Sequence, residues 1–117
     1  MIYTSYFSSK KYNKEQAISI SRWNKFWDGD VCLDLAPSPE LLSWWKGLSK
    51  DLQEEEYYQQ VYFTRYKMET LDKLNPKLVG DMLQNKVLLC YEKSSDFCHR
   101  HIVAAWLRHY GYEVKEL

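Results

Sequence analysis

The sequence predicts an α/β fold in which a small, mainly parallel sheet is flanked by helices in a three-layer-like arrangement. Residues 87–90 form a short, unbroken apolar run, which is typical of a strand covered on both faces. Segments rich in β-formers near both chain ends enclose segments with helical periodicity. The length of 117 residues allows one hydrophobic core and is too short for two, so we expect one compact domain, residues 1–117.

Two strands are predicted in the first 22 residues. Residues 2–7 are rich in β-formers, and a polar connection follows over residues 8–15. Residues 17–22 alternate apolar and small polar side chains, which predicts a second strand paired in parallel with the first. Arg22 then lies at the carboxyl end of its strand, at the same edge of the sheet as Cys90.

The next segment leads into a helix. Residues 28–30 predict a turn, and residues 31–35 predict a short extended piece. Ser38 suits the N-cap, Pro39 the first helical position and Glu40 the positive end of the helix dipole. The apolar positions of this helix are Leu41, Leu42, Trp45 and Leu48.

A longer helix of about four or five turns is predicted in the middle of the chain, because side chains repeat there every three or four positions. The repeating positions are Tyr57, Tyr58, Val61, Tyr62, Arg65, Met68 and Leu71. Asn75 before Pro76 predicts the start of a short third helix. Its apolar positions are Leu78, Val79, Met82 and Leu83.

The central apolar strand is followed by a polar turn and the last helix. Residues 94–96 supply N-cap candidates for this helix, and Gly111 is placed as its C-terminal cap. Cys98 and His99 begin the core-facing stripe. The stripe continues through Ile102, Val103, Trp106, Leu107 and Tyr110. Residues 112–117 alternate as a final edge strand.

Composition excludes several classes of function. Sixteen basic side chains balance sixteen acidic ones, which leaves no net field to attract polymeric nucleic acid or an anionic membrane. No apolar run of 18 residues and no signal-peptide pattern occurs, so we expect a cytoplasmic protein. Three cysteines without a secretion signal predict free thiols rather than disulfides. Ten tyrosines and five tryptophans predict aromatic lining of a pocket or an interface.

Candidate catalytic residues cluster in the connection between the central strand and the last helix. Cys98 lies at a helix start beside basic side chains, which favours the thiolate; the alternative is a small buried filler. His99 is a general base or a hydrogen-bond donor to substrate, unless it is a core histidine bonded to backbone. Glu92 is a nucleophile or an acid/base, unless it is a surface carboxylate paired with a nearby cation.

Candidate ligand-binding residues come from the same edge of the sheet. Arg22 and Arg100 suit a phosphate or carboxylate group because guanidinium binds oxyanions bidentately; structural pairing of Arg100 with Glu92 is the alternative. Trp23 can stack on a planar ring such as a nucleobase, although such rings often complete a core. Cys90 shares a strand face with Glu92, although its place in the apolar run favours a core role.

Metal binding is the competing chemical hypothesis. The four possible ligands are Cys90, Cys98, His99 and His101. Structural zinc prefers Cys-x(2–4)-Cys pairs, which are absent, and the two histidines lie on different helix faces. The sequence therefore predicts no metal and no other cofactor.

Several stretches resemble a bacterial and viral family named domain of unknown function 488 (DUF488). These stretches are Ile2-Tyr-Thr, Arg22, Leu35-Ala-Pro-Ser-Pro-Glu-Leu-Leu42, Leu88-Leu-Cys-Tyr-Glu92 and Phe97-Cys-His-Arg100. The Leu-Cys-x-Glu and Cys-His-Arg elements carry most of the likeness, which spans nearly the whole chain. The resemblance implies a compact α/β domain and implies little about activity. Many such proteins have a longer first connection and an Asp-Val-Arg sequence, where this chain has Ser-Ile-Ser-Arg at residues 19–22.

These patterns together predict a small enzyme or binder that acts on a small anionic ligand, with nucleotide-like molecules among the candidates. The Cys, His, Arg and Glu side chains named above form its predicted cleft. The alternative function is a non-catalytic protein-interaction module that uses its exposed aromatic side chains. No pattern in the sequence specifies a reaction, a substrate or an oligomeric state.

Overall fold

Five strands form one parallel sheet in the part of the chain that the structure describes. The structure is a computed structural model that describes residues 1–92 and 96–117. The strands are β1 (Ile2–Tyr6), β2 (Ala17–Ser19), β3 (Asp30–Val31), β4 (Val87–Cys90) and β5 (Val114–Glu116). Their order across the sheet is β3-β2-β4-β1-β5, and every pairing is parallel. The predicted α/β fold is therefore confirmed.

Strand β4 is the centre of the sheet because it is apolar on both faces. All four of its residues are buried, as the unbroken apolar run predicts. Leu88 pairs in register with Thr4 of β1 on one side and with Ile18 of β2 on the other. β5 is an edge strand that pairs with β1 alone among the described strands, as predicted.

The helices are α1 (Pro39–Lys46), α2 (Lys50–Gln53), α3 (Glu56–Glu69), α4 (Pro76–Met82) and α5 (His99–His109). The predicted caps of two helices are confirmed. Ser38 Oγ accepts a hydrogen bond from the Leu41 amide at 3.1 Å, and Asn75 Oδ1 accepts from the Lys77 amide at 3.0 Å. Gly111 follows the last helix with φ +93°, a conformation that favours glycine. None of the described helices is both long and apolar enough to cross a membrane.

The two faces of the sheet are covered in different ways. The larger core lies between one face and the helices, and it includes Leu88 of β4 together with Tyr66 and Leu107. The smaller core on the opposite face contains Leu89 and is covered by side chains of loops and strands. These covering side chains are Tyr3, Phe7, Tyr12, Trp27 and Leu117. Aromatic rings thus take the place of helices on that face.

The predicted pairing of β1 with β2 is wrong, although both are parallel strands of the same sheet. β4 lies between them and pairs with both, and β2 ends at Ser19, before Arg22. Local sequence shows each strand but does not show that a strand from much later in the chain will separate them. Residues 31–35, predicted as extended, contain the end of β3 and a 3₁₀ turn at Leu33–Leu35.

The buried stripes of the middle helices also differ in phase from the prediction. Tyr62 and Tyr66 are the buried residues of α3, whereas Tyr57 and Met68 are exposed. Aromatic and long side chains occupy most sides of this helix, so periodicity alone does not fix the buried face. In α4 only part of the predicted set is buried. Val79 and Leu83 are buried, whereas Leu78 and Met82 are exposed.

The predicted N-cap of the last helix is also different. Ser94 and Ser95 lie outside the described residues, and Cys98 is the N-cap of α5. The core-facing stripe begins as predicted, with Cys98 and His99 both buried.

Glu69 ties the end of α3 to the start of α1. Ser38 Oγ donates to Glu69 Oε1 at 2.6 Å, and Arg65 Nε donates to Glu69 Oε2 at 3.0 Å. Burial raises the pKa of Glu69, but the two hydrogen bonds and the charges of Arg65 and Lys73 outweigh it and lower that pKa overall. The ionised carboxylate therefore stabilises the fold above its unfolded pKa, and this contribution is lost as pH falls through the folded pKa.

We expect Glu69→Gln to lower the free energy of unfolding by about 1 kcal/mol at pH 7, because charge-assisted bonds are replaced by neutral ones. The difference from wild type should shrink as pH falls below about 4, where the carboxylate is protonated. Urea unfolding of wild type and variant at pH 7 and below pH 4 measures this difference. Glu113→Gln, at an exposed carboxylate, is the control and should change little. A loss for Glu69→Gln that does not depend on pH contradicts the prediction.

Candidate functional site

A cleft opens at the carboxyl ends of β2 and β4. Its cavity volume is about 70 Å³, room for about five waters or for one polar group of a larger ligand. The lining residues that follow β2 are Ser21, Arg22 and Trp23, and those that follow β4 are Tyr91, Glu92, Phe97, Cys98 and His99. Helices α1 and α3 complete the wall with Leu42, Trp45, Lys46 and Tyr62, and Pro37 adds to it.

This cleft lies at the topological switch point of the sheet, where the connections from two neighbouring strands run in opposite directions across the sheet. After β2 the chain runs to its outer neighbour β3, whereas after β4 it runs through α5 to β5 on the far side of β1. The two connections diverge and leave a crevice between the strands. Ligands of open α/β sheets bind in such a crevice, outside the carboxyl ends of the strands. The position favours a binding site before any side chain is considered.

His99 is buried in the floor of the cleft with a defined tautomer. Its Nε2 lies 2.7 Å from the carbonyl oxygen of Ile20, and because a carbonyl only accepts, Nε2 carries the proton. Burial is the main cause that lowers the pKa of His99 to about 4, although the bond to Ile20 opposes it. The imidazole is therefore neutral at pH 7, and its Nδ1 has a free lone pair.

The His99 lone pair faces a sulfur atom. Nδ1 lies 3.8 Å from Cys98 Sγ, although adjacent residues on a regular helix point about 100° apart. Cys98 escapes this restriction because it is the N-cap, with an extended backbone at φ −153° and ψ 145°. The two neighbouring side chains can therefore approach each other here.

The prediction of three free thiols is also wrong. Cys90 and Cys98 are joined as a disulfide, with their Cα atoms 7.5 Å apart. The end of β4 and the start of α5 bring the two residues together, which counting cysteines does not show. Cys32 is the remaining free thiol, and burial raises its pKa.

Three potential metal ligands meet at the same place. The sulfur atoms of Cys90 and Cys98 and a ring nitrogen of His99 all lie within 4.8 Å of one another, and all three residues are buried. His101, the fourth ligand considered from the sequence, does not belong to this group. The spacing of these residues along the sequence counted against a metal site. In the fold, the connection from β4 to α5 brings the three side chains together.

Arg100 does not lie in the cleft, contrary to its predicted role in ligand binding. The residue is 0% exposed, and its guanidinium pairs bidentately with Glu116, with Nε 3.1 Å from Oε1 and Nη2 2.8 Å from Oε2. Nη1 donates to the carbonyl oxygen of Glu92 at 2.6 Å and to Cys90 Sγ at 2.9 Å. Cys90 is fully buried beside it and does not line the cleft. The alternative of a structural Arg100 is supported, with Glu116 as its carboxylate partner.

The polar side chains that line the cleft carry both signs of charge. Burial raises the pKa of Glu92, although its own backbone amide and the charges of Arg100 and Lys46 oppose this. Arg22 Nε donates to the carbonyl oxygen of Pro37 at 3.0 Å, which holds the guanidinium at the wall. No carboxylate in residues 1–92 or 96–117 pairs with that guanidinium. Arg22 and Glu92 thus lie where the sequence placed them.

Two polar contributors to the cleft escape the sequence analysis. Lys46 lies in the last turn of α1, with its Nζ 4.7 Å from the centre of the Trp23 ring. Ser21 is 4% exposed, and its Oγ has no hydrogen-bond partner among the described residues. Ser21 directly precedes Arg22 in the sequence, and this adjacency is a weak signal for Ser21. Nothing in the local sequence signals Lys46, which helix packing brings to the cleft.

An open parallel sheet, with a cleft of mixed polar and apolar lining at its topological switch point, defines a small α/β protein with a candidate ligand site. The family model described as DUF488-N3a, "Active DUF488-N3 subclade", matches residues 2–111. The chain therefore belongs to the DUF488 family, as the Leu-Cys-x-Glu and Cys-His-Arg elements indicate. Comparison with curated proteins and with solved structures found no match.

We expect Arg100→Ala to lower the free energy of unfolding by about 3 kcal/mol, because it removes the buried cation that neutralises Glu116. Chemical denaturation measures the change. Lys67→Ala is the control, since Lys67 pairs with Asp72 on the surface and such pairs contribute under about 1 kcal/mol. Equal, small losses for the two variants would contradict a structural role for Arg100.

Proposed function

We propose that the protein is an enzyme that acts on a small anionic molecule in the cleft between β2 and β4, with nucleotide-like molecules among the candidate substrates. One observation carries the proposal: two cationic side chains and a carboxyl group of raised pKa line a single small crevice. Arg22, Lys46 and Glu92 are these three groups. A cytoplasmic location and a single domain stay predictions of the sequence.

The cations are suited to hold an oxyanion. The Nε of Arg22 is already used by Pro37, which orients the guanidinium and leaves its Nη groups for a phosphate or carboxylate. Lys46 adds a second positive charge from α1, above the Trp23 ring. Ser21 Oγ, buried and without a partner among the described residues, adds a hydroxyl that a ligand can pair with.

Glu92 is suited to general acid–base catalysis. Burial raises its pKa toward neutrality, so the carboxyl can carry a proton at a pH where an exposed glutamate is ionised. Its main-chain oxygen is anchored by the buried Arg100, which fixes the residue at the rim of the cleft. In this proposal Glu92 transfers a proton, Arg22 and Lys46 bind the anion, and His99 shapes the floor.

Cys98 has a conditional role in the proposed reaction. Its sulfur is bonded to that of Cys90, so it can act as a nucleophile only after reduction. The neutral His99, whose Nδ1 lies 3.8 Å from Cys98 Sγ, can then accept the thiol proton.

A second candidate function has its own support. Phe26 and Tyr91 are 60% and 44% exposed, and their rings pack on each other and on Phe7 at centroid distances of 5.5 and 5.0 Å. Such an exposed aromatic cluster is a surface that a protein partner can cover. The rival function is a non-catalytic interaction module.

Ligand-induced thermal stabilisation tests the two functions against each other. We expect a nucleotide, a sugar phosphate or an organic acid to raise the melting temperature, because a ligand at 100 times its Kd stabilises the folded state by about 2.7 kcal/mol. The interaction module predicts no such shift in any of the three ligand classes. Absence of any shift would overturn the anion-binding proposal.

Variants of the wall locate the binding. Arg22→Ala should weaken the stabilising ligand about tenfold or more, because a charged hydrogen bond is lost. Glu92→Gln should leave binding unchanged or tighten it, because a negative charge beside the anion is removed. Lys77→Ala removes an exposed cation from α4, which leads into the amino end of β4, and should have no effect. Equal weakening by Arg22→Ala and Lys77→Ala would show non-specific binding.

A further inference from the structure

The ligand atoms of Cys90, Cys98 and His99 form a buried cluster that the proposed anion chemistry does not fully use. We propose that these three residues, with the cysteines reduced, bind one zinc ion beside the cleft. Two thiolates and one imidazole are a donor set that zinc prefers. The inference does not depend on the proposed function, because metal binding can be measured without any substrate.

The distance between Cys98 and His99 already fits a tetrahedral zinc ion. With Zn–S of about 2.3 Å and Zn–N of about 2.0–2.1 Å, a sulfur and a nitrogen on the same zinc lie about 3.6 Å apart. Cys98 Sγ and His99 Nδ1 are 3.8 Å apart. Two sulfurs on the same zinc lie about 3.8 Å apart, so reduction must break the Cys90–Cys98 bond and let the two sulfurs separate before an ion can lie between them.

The backbone spacing of the two cysteines points the same way. Their Cα atoms are 7.5 Å apart, whereas disulfide-bonded cysteines usually have Cα atoms about 4.4–6.8 Å apart. Two thiolates that share an ion hold their sulfurs, and hence their Cα atoms, farther apart. The wider spacing therefore leaves room for an ion between Cys90 and Cys98 once they are reduced.

The surroundings of the cluster resemble a second coordination shell. A histidine ligand usually donates its other ring N–H to a carbonyl or carboxylate, which fixes the tautomer; His99 Nε2 does this to Ile20 at 2.7 Å. Arg100 Nη1 donates to Cys90 Sγ at 2.9 Å, a bond that favours the thiolate. Two thiolates also neutralise Zn²⁺, so the buried site gains no net charge.

Three protein ligands leave one coordination position for water or a substrate atom. Catalytic zinc sites keep such a position, whereas structural sites are closed by four protein ligands. Cys98 and His99 line the same cleft as Arg22 and Glu92, so an ion held by the cluster would lie beside the proposed ligand site. A zinc ion there would polarise a bound water or the oxyanion of the ligand.

The test measures zinc binding to the reduced protein. A phosphine cleaves the Cys90–Cys98 disulfide; it supplies two electrons, becomes the phosphine oxide with oxygen from water, and leaves two thiols. Competition with a chromophoric chelator should then give one zinc per chain, with release of thiol protons. X-ray absorption at the zinc edge of wild-type protein should show two sulfurs at about 2.3 Å and nitrogen or oxygen at about 2.0–2.1 Å.

Matched variants assign the ligands. Cys98→Ser and His99→Gln should each weaken zinc binding by more than about 100-fold, beyond the loss that removal of a second-shell partner causes. Cys32→Ser removes a cysteine outside the cluster and should leave the affinity unchanged. Absence of stoichiometric zinc, a shell of nitrogen and oxygen alone, or a loss caused by Cys32→Ser would each overturn the proposal. The wild-type zinc-edge spectrum decides even if a variant does not fold.

Discussion

A buried arginine is the constraint on which the site depends. The Arg100 guanidinium joins the first turn of α5 to the Glu116 carboxylate of β5 and to the main chain just after β4. A cation without solvent must be neutralised and have its N–H groups bonded, and these partners come from two other segments, β5 and the end of β4. The end of β4, the start of α5 and the edge strand are thereby held in one arrangement, and the positions of Glu92, Cys98 and His99 follow from it.

Local chemistry was sufficient to predict most elements of the fold. Some features are determined by residues that are close together in the sequence, so the sequence alone reveals them. Examples are the apolar run of β4, the Ser38 cap before Pro39 and the helix end at Gly111. The order of the strands is different in kind. β4 is inserted between β1 and β2 after more than half the chain has intervened, and no local pattern records that event. The buried face of α3 was missed because aromatic side chains surround the helix.

Placement of the candidate site divides along the same line. The rule that the carboxyl ends of parallel strands share one edge was enough to bring Arg22 and Glu92 to one cleft. It did not predict the inward turn of Arg100, which depends on the position of Glu116 in β5. The contact of Cys98 with His99 depends on the extended backbone of one residue at a helix start, and the periodicity of the sequence does not reveal the conformation of a single residue. Lys46 arrives by helix packing alone.

The stacking of Lys46 on Trp23 gives the cleft a natural optical probe. An ammonium group 4.7 Å from an indole exerts a strong electric field on the ring, and indole emission responds to such fields. An anion that draws Lys46 toward itself changes that field at a side chain that is already half in solvent. Occupancy of the crevice is thus coupled to the colour of the light that the protein emits, with no added label.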